Sequence, residues 1–381
     1  MFQLRHLFLL SLLLSCTVAY AEPVDTLDAG KQKANILSRL VGFFANSNRE
    51  VPRDGLSVSV IGGPFYSSDV KFGLGLVVAG QYHHGTDTLA IPSIASLKAK
   101  LSTTLFYGIG IEGLHIFPGD QLRLQYNIDF QSMPTYFWGI GYAAGRDTDN
   151  KTKYTDKRVN VRIDALARLS GPLFVGGLIQ GCHAEAEKIH NPDFWNGLPR
   201  HVTGFAIGAE VRYDSRDIPQ NAYSGWELIL AGKWWPKFLS NGNAFGSVEF
   251  SASHYHPVWN GGILAGRFHT ICTMHNTPWA LMPTYGGSNI MRGYYEGQYR
   301  DKCEFDMTFE LRQHVWRRSG VVAWVGFGSI FPYVSALRLN HILPNAGIGY
   351  RWEFKKRVNV RLDLGIGKGC YGIEFGIHEA F

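Results

Sequence analysis

From Val51 onward apolar and polar residues alternate one by one. Along 122–130 (Leu-Arg-Leu-Gln-Tyr-Asn-Ile-Asp-Phe) the alternation has no fault. It recurs along 159–164, 205–213, 248–253 and 358–364. In 304–314, Glu304, Asp306, Thr308, Glu310, Arg312 and His314 fall on one side, and Phe305, Met307, Phe309 and Leu311 on the other. A period of two is the signature of strands, because successive side chains point to opposite faces of a sheet. Roughly sixteen such runs fit between Leu56 and Phe381, about 20 residues for each strand with its connection, as strands of about ten residues crossing a bilayer require. Turn-forming clusters at 146–156, 191–198 and 240–243 separate some of them. No composition break divides 51–381, which reads as one domain.

Before it the period changes. In 22–50, Ala34, Leu37, Val41 and Phe44 recur near helical spacing, widened by Ile36, Leu40 and Phe43, with Asp25 or Asp28 as a cap. This is the one helix expected, a short periplasmic segment. Residues 1–21 read as a secretory signal: Arg5 and His6, an apolar run over 7–14, then Ala19-Tyr20-Ala21 for cleavage. The rival is a lipoprotein cut before Cys16.

Composition turns the alternating pattern toward a membrane. Charged residues are 18% and aromatics 14%, with 44 glycines; about 25% charge is usual for soluble domains. No apolar run of about 20 residues follows the N-terminus, so no transmembrane helix is expected. Alternation alone also fits a soluble sandwich. However, the polar face carries ionisable residues of both signs in nearly every run, suited to a lumen, and the other face is aromatic and aliphatic. The expected fold is therefore all-β: a transmembrane antiparallel β-barrel of about 16 strands, closed so that no backbone group is left unpaired in lipid.

Most other chemistry is absent from the pattern. The net charge of +6 comes without a long basic run, so no nucleic-acid partner is expected. No nucleophile elbow, HExxH or phosphate loop occurs, and no metal or cofactor is expected. His254 and His256 share one strand face, but Ser251 and Ser253 point to the other, leaving an outer-membrane lipid hydrolase as a distant alternative; aromatic-girdle histidines are the plainer account. Cys272 and Cys303 flank a glycine-rich stretch, and Cys182 and Cys370 lie apart. A cross-strand pair is one reading of the first two, and isolated thiols are the favoured one.

That stretch, 286–301, holds Gly286, Gly287, Gly293 and Gly297 around Met291-Arg292-Gly293-Tyr294. Read alone it is either a surface turn with a solvated arginine or a loop folded inward to pin Arg292 on carboxylates. Ile290-Met291-Arg292-Gly293-Tyr294 resembles the arginine-glycine-aromatic motif in the sixth extracellular loop of the BamA/TamA superfamily of outer-membrane assembly and secretion barrels. Tyr213-Asp214-Ser215-Arg216-Asp217 with Gly225, then Gly347-Ile348-Gly349-Tyr350-Arg351, Arg361-Leu362-Asp363 and Glu379-Ala380-Phe381, resemble further segments of that family. The resemblance covers about residues 52–381.

The resemblance implies an inward loop whose arginine bonds acidic wall residues, Glu310 being one. Where the family has an aspartate on the following strand, this chain has Gly326 in Trp324-Val325-Gly326-Phe327-Gly328, so Asp306 or Asp363 is expected to compensate. It further implies insertion, translocation or export of proteins or lipid at the outer membrane, with client polypeptides or periplasmic accessory proteins as partners and no covalent catalysis. A passive pore or structural barrel is the alternative. Counterparts of the family's folded periplasmic domains are not expected in residues 22–50. Phe375, Ile377 and Phe381, apolar at even spacing, resemble the C-terminal signal read by barrel-insertion machinery.

Overall fold

A computed structural model describes residues 57–67, 70–82, 92–219, 221–240 and 242–381. The expected signal peptide (1–21), Cys16 and the helical segment (22–50) lie outside these residues.

The alternating runs form strands. They are β1 (Ser57–Ser67), β2 (Lys71–Tyr82), β3 (Ser93–Ser102), β4 (Tyr107–Ile116), β5 (Leu122–Phe137) and β6 (Thr152–Ser170). Next come β7 (Leu173–Glu187), β8 (His201–Asp214), β9 (Gly225–Trp235), β10 (Phe245–Trp259) and β11 (Gly262–Thr273). A two-residue ribbon, β12 (Thr284–Tyr285) with β13 (Tyr299–Arg300), interrupts the series. Then follow β14 (Cys303–Trp316), β15 (Ser319–Phe331), β16 (Leu343–Lys355), β17 (Val358–Gly367) and β18 (Cys370–Ile377). Apart from the ribbon, the strands form a single 16-stranded sheet in chain order, each antiparallel to the one before. Helix is scarce among the described residues: α1 (Tyr142–Arg146) and a few 3-10 turns. The expected turn at 146–156 is shorter than its composition suggested, because β6 already begins at Thr152.

The sheet is inside-out relative to a soluble core. On β14, Glu304, Asp306, Thr308, Glu310 and Arg312 are buried, whereas Phe309 is 41% exposed. On β17, Arg361 and Asp363 are buried between exposed Leu362 and Leu364. Outward apolar side chains such as Ile207, Trp234, Val325 and Ile348 cover the convex face. In water such a surface would be an extensive exposed apolar patch; facing lipid it is the expected arrangement. Connections alternate between the two ends of the sheet. One end has tight turns at 171–172, 260–261, 317–318 and 356–357, and the other carries the long loops 138–151, 188–200, 274–302 and 332–342.

The sheet curls until its end strands are neighbours. Cα atoms of β1 and β18 approach within 8 Å, yet among the described residues no ladder pairs them. The hydrogen-bonded closure expected from the sequence is therefore missing at this seam. β18 is the shortest of the sixteen strands, and His378, with φ of 69°, turns the chain out of it.

Candidate functional site

Loop 274–302 leaves β11 and returns on β14. Its base is cross-linked: Cys272 and Cys303 are register partners with Cα atoms 4.1 Å apart, joined by a disulfide. The favoured expectation of isolated thiols is thereby corrected. The strand register brings together two side chains on one face at the short spacing of a non-hydrogen-bonded pair, which separation along the chain does not disclose. Cys182 and Cys370 remain thiols.

The glycine-rich half of the loop folds inward against β14–β17. Gly293 has φ of 111°, and a Cβ there would lie 2.7 Å from the Gly365 backbone. Gly365 in turn has room for no side chain against the carbonyl of Arg292. Only a glycine pair lets two backbones meet this closely. The contact delivers Arg292, 2% exposed, between β14 and β17. Its Nη2 donates to Glu310 Oε2 at 2.5 Å on β14, and its Nη1 to Asp363 Oδ2 at 2.7 Å on β17. The guanidinium lies 3.6 Å above the Trp324 ring on β15. Trp324 Nε1 donates to Asn345 Oδ1 at 2.7 Å, and Asn345 Nδ2 returns to the Arg292 carbonyl.

Each carboxylate holds further cations. Arg312 Nε reaches Glu310 Oε1 at 2.7 Å, and Arg351 Nη1 reaches Asp363 Oδ1 at 2.5 Å. Arg361 donates to Asp363 Oδ2 at 3.1 Å and to Asn289 of the loop. Glu379 accepts from Arg351 at 2.8 Å. Charge-assisted bonds of this kind are the strong class when both partners are withheld from water. Beside them Tyr294 is packed with Tyr142, Tyr285, Met291, Tyr299, Ile330 and Leu343. Its hydroxyl donates to Pro344 O at 2.7 Å and accepts from Lys368 N at 2.8 Å. Burial raises the phenols of Tyr294 and Tyr299, the latter to about 12, so both stay neutral.

Of the two carboxylates expected to stand in for Gly326, Asp363 reaches Arg292 and Asp306 does not. Asp306 lies four residues from Glu310 on one strand, roughly 13 Å away along it. It bonds His269 at 3.2 Å and Arg267 at 3.3 Å instead. A Cβ at Gly326 would meet Met307 O at 2.8 Å and Met291 Sδ at 3.5 Å, so Met291 of the loop occupies the neighbourhood an aspartate would enter.

The other half of the loop is anchored by different chemistry. Trp279, 1% exposed, sits among Phe137, Tyr154 and Trp195 at the long-loop ends of β5 and β6. Its Nε1 donates to Pro199 O at 2.8 Å. Arg300 stacks on it at 5.2 Å and donates to its carbonyl at 2.7 Å. The loop thus crosses the interior from the β5–β8 wall to the β14–β17 wall. Sequence reading missed Trp279, Trp324, Asn345 and Arg351. Strand parity puts Trp324 and Asn345 on the inner face, but it does not say that they meet the loop.

Of the C-terminal residues, Phe375 is 37% exposed on β18, and Ile377 is the last residue of that strand. Phe381 does not share their face. The turn at His378 carries it inside, where Arg312 Nη2 donates to its backbone oxygen at 2.9 Å and its ring stands 6.3 Å from that of Tyr255. Even spacing fails once the strand has ended. His254 stacks on Trp226 at 3.9 Å on the outer face, and Ser253 is buried on the inner one.

An antiparallel sheet with an apolar exterior and a charged interior, and a long loop drawn into that interior, defines an outer-membrane strand-built protein. Residues 115–354 match the Omp85 superfamily domain, and the chain belongs to that superfamily, whose proteins reside in the bacterial outer membrane. Among solved structures, the chain is similar to BamA from Haemophilus ducreyi lacking POTRA domains 1–3, at 12% identity and TM-score 0.54, over 85% of this chain and 70% of that one. It is similar to CdiB from Acinetobacter baumannii at 11% identity and TM-score 0.53, over 85% and 59%. CdiB from Escherichia coli matches at 12% identity and TM-score 0.55, over 86% and 62%. The chain thus spans less than two thirds of either CdiB, and at such identities the likeness is one of fold. No curated protein matches the chain in sequence.

Proposed function

We propose that the chain inserts, translocates or exports polypeptide or lipid at the outer membrane, through the seam between β1 and β18. The long-loop end faces outward and the tight turns face the periplasm. Arg292, Gly293, Tyr294, Glu310 and Asp363 fix loop 274–302 inside and hold the interior in one shape; the reaction involves no covalent chemistry. The observation that carries this reading is the pair of end strands that adjoin without a ladder. A seam without backbone hydrogen bonds opens at little cost, since each buried bond left unmade would otherwise cost about 1–3 kcal/mol. Phe375 and Ile377 on β18 serve as the outward part of an insertion signal for the barrel-insertion machinery. Client polypeptides and periplasmic accessory proteins are the partners.

The test is a quantitative comparison of outer-membrane proteins and lipids in cells with and without the gene. Selective loss of particular barrels, surface proteins or lipids supports the proposal and names the clients. An unchanged membrane overturns it in favour of a passive pore or structural barrel, whose conductance is then the property to measure.

A further inference from the structure

Away from the Arg292 network, one imidazole faces three carboxylates on the inner surface of β10, β11 and β14. His269 Nδ1 lies 3.2 Å from Asp306 Oδ2 and 3.3 Å from Glu304 Oε2. Its Nε2 lies 3.4 Å from Glu249 Oε1. His269 and Asp306 are register partners on β11 and β14, and Glu304 stands two residues along on the same face, so the sheet itself fixes the spacing. All three side chains are buried: His269 is 8%, Glu304 2% and Asp306 0% exposed.

The surrounding cations do not serve these carboxylates equally. Lys233 and Arg162 both reach Glu249 Oε2, at 2.8 and 3.3 Å. Arg267 reaches Asp306 Oδ1 at 3.3 Å. The only ion-pair partner of Glu304 among the described residues is His269, and its Oε1 is buried without a hydrogen bond. A proton on Nδ1 can be given to one of two competing oxygens, and it leaves Glu304 Oε1 unmet. A buried acceptor left so is costly.

A cation at Nδ1 gives the Glu304 carboxylate the positive partner that no lysine or arginine ion pair among the described residues supplies. Glu249, already neutralised, takes the Nε2 proton and leaves the Nδ1 lone pair directed at Glu304 and Asp306. A carboxylate on the far nitrogen is the usual support of a metal-ligating histidine. The ligand atoms of His269, Glu304 and Asp306 all lie within 4.8 Å of one another. Neighbouring ligands around a tetrahedral ion bonded at about 2.1 Å stand about 3.4 Å apart, and the two Nδ1 distances match that edge. One nitrogen with two carboxylates suits Mn2+ through Zn2+ and is too nitrogenous for Mg2+ or Ca2+.

We propose that His269 Nδ1, Glu304 and Asp306 bind one divalent transition-metal ion of the Mn2+ to Zn2+ series, with Glu249 orienting the imidazole. The ion clamps β11 to β14 beside the Cys272–Cys303 bond, at the base of loop 274–302. Water or another donor group would complete its coordination.

The experiment uses the full chain, folded in detergent micelles, stripped with a chelator, dialysed against Zn2+ and assayed for bound zinc. Wild type is expected to hold about one ion per chain. His269→Gln and Glu304→Gln, checked for folding by heat-modifiable gel migration, are expected each to lose one equivalent. Glu249→Gln is expected to bind roughly 10–100-fold more weakly. Wild type without zinc, or both ligand variants retaining the full equivalent, overturns the proposal; the first result makes His269 a histidinium shared among three carboxylates. If the variants do not fold, Co2+ added to wild type decides. Visible absorption that the chelator abolishes supports the site, and its absence overturns it.

Discussion

Loop 274–302 is fixed at two places by opposite means. At Trp279 an aromatic side chain fills an apolar pocket on β5–β8, and one indole hydrogen bond orients it. At Arg292 a guanidinium enters a network of arginines and carboxylates on β14 and β17, and glycines give it passage. The first anchor depends mainly on area and packing, with Arg300 as the one cation stacked on its indole. The second depends on every partner being present, since each buried ion was already taken out of water. An apolar anchor degrades in proportion to what is removed. An ionic one fails abruptly when a single member is lost.

The largest effect is expected from Arg292→Ala, which deprives Glu310 and Asp363 of their shared cation and should cost roughly 4 kcal/mol. The barrel should lose its compact, heat-modifiable gel migration at a lower temperature than wild type. Identical melting would remove the inward lock. Trp279→Ala should cost about 3 kcal/mol, as a cavity left by a large aromatic does. Limited proteolysis separates the two variants: the first should expose 286–298, the second 274–283. If either variant exposes the whole loop, the anchors are one cooperative unit. Replacing Cys272 and Cys303 together by Ser should weaken both anchors alike, by about 2 kcal/mol. A loss confined to one half of the loop would contradict a shared base. Tyr294→Phe is the smallest change, about 1 kcal/mol for its hydroxyl bonds. It should add to Trp279→Ala without coupling, because distant sites are additive. A double-mutant cycle with strong coupling would join the two regions.

The strands were legible because period-two alternation survives in each one, and β14 and β17 present the faces their sequences announce. Arg292 and Glu310 stood out through the motif and the parity of the next strand. The choice between Asp306 and Asp363 did not. It rests on the height along β14 at which the loop meets the wall, and on the register that carries β17 to that height across β15 and β16. Trp279 carried no signal, since a tryptophan in a loop reads the same whether it lies on the surface or in a pocket. Phe381 lies past His378, where the backbone leaves the strand, so even spacing no longer fixes its face. The disulfide was ambiguous for a related reason: only the register of β11 against β14 makes Cys272 and Cys303 opposite neighbours.

The bond between Cys272 and Cys303 also makes the loop a closed covalent ring. Mechanically, a ring is a leash of set length. Spanning 31 residue steps, it reaches roughly 50 Å when drawn taut from its base. β11 and β14 cannot peel apart beyond the cross-link to lengthen it. A loop released from both anchors would therefore stay tethered to the same place, without unravelling the wall that carries it.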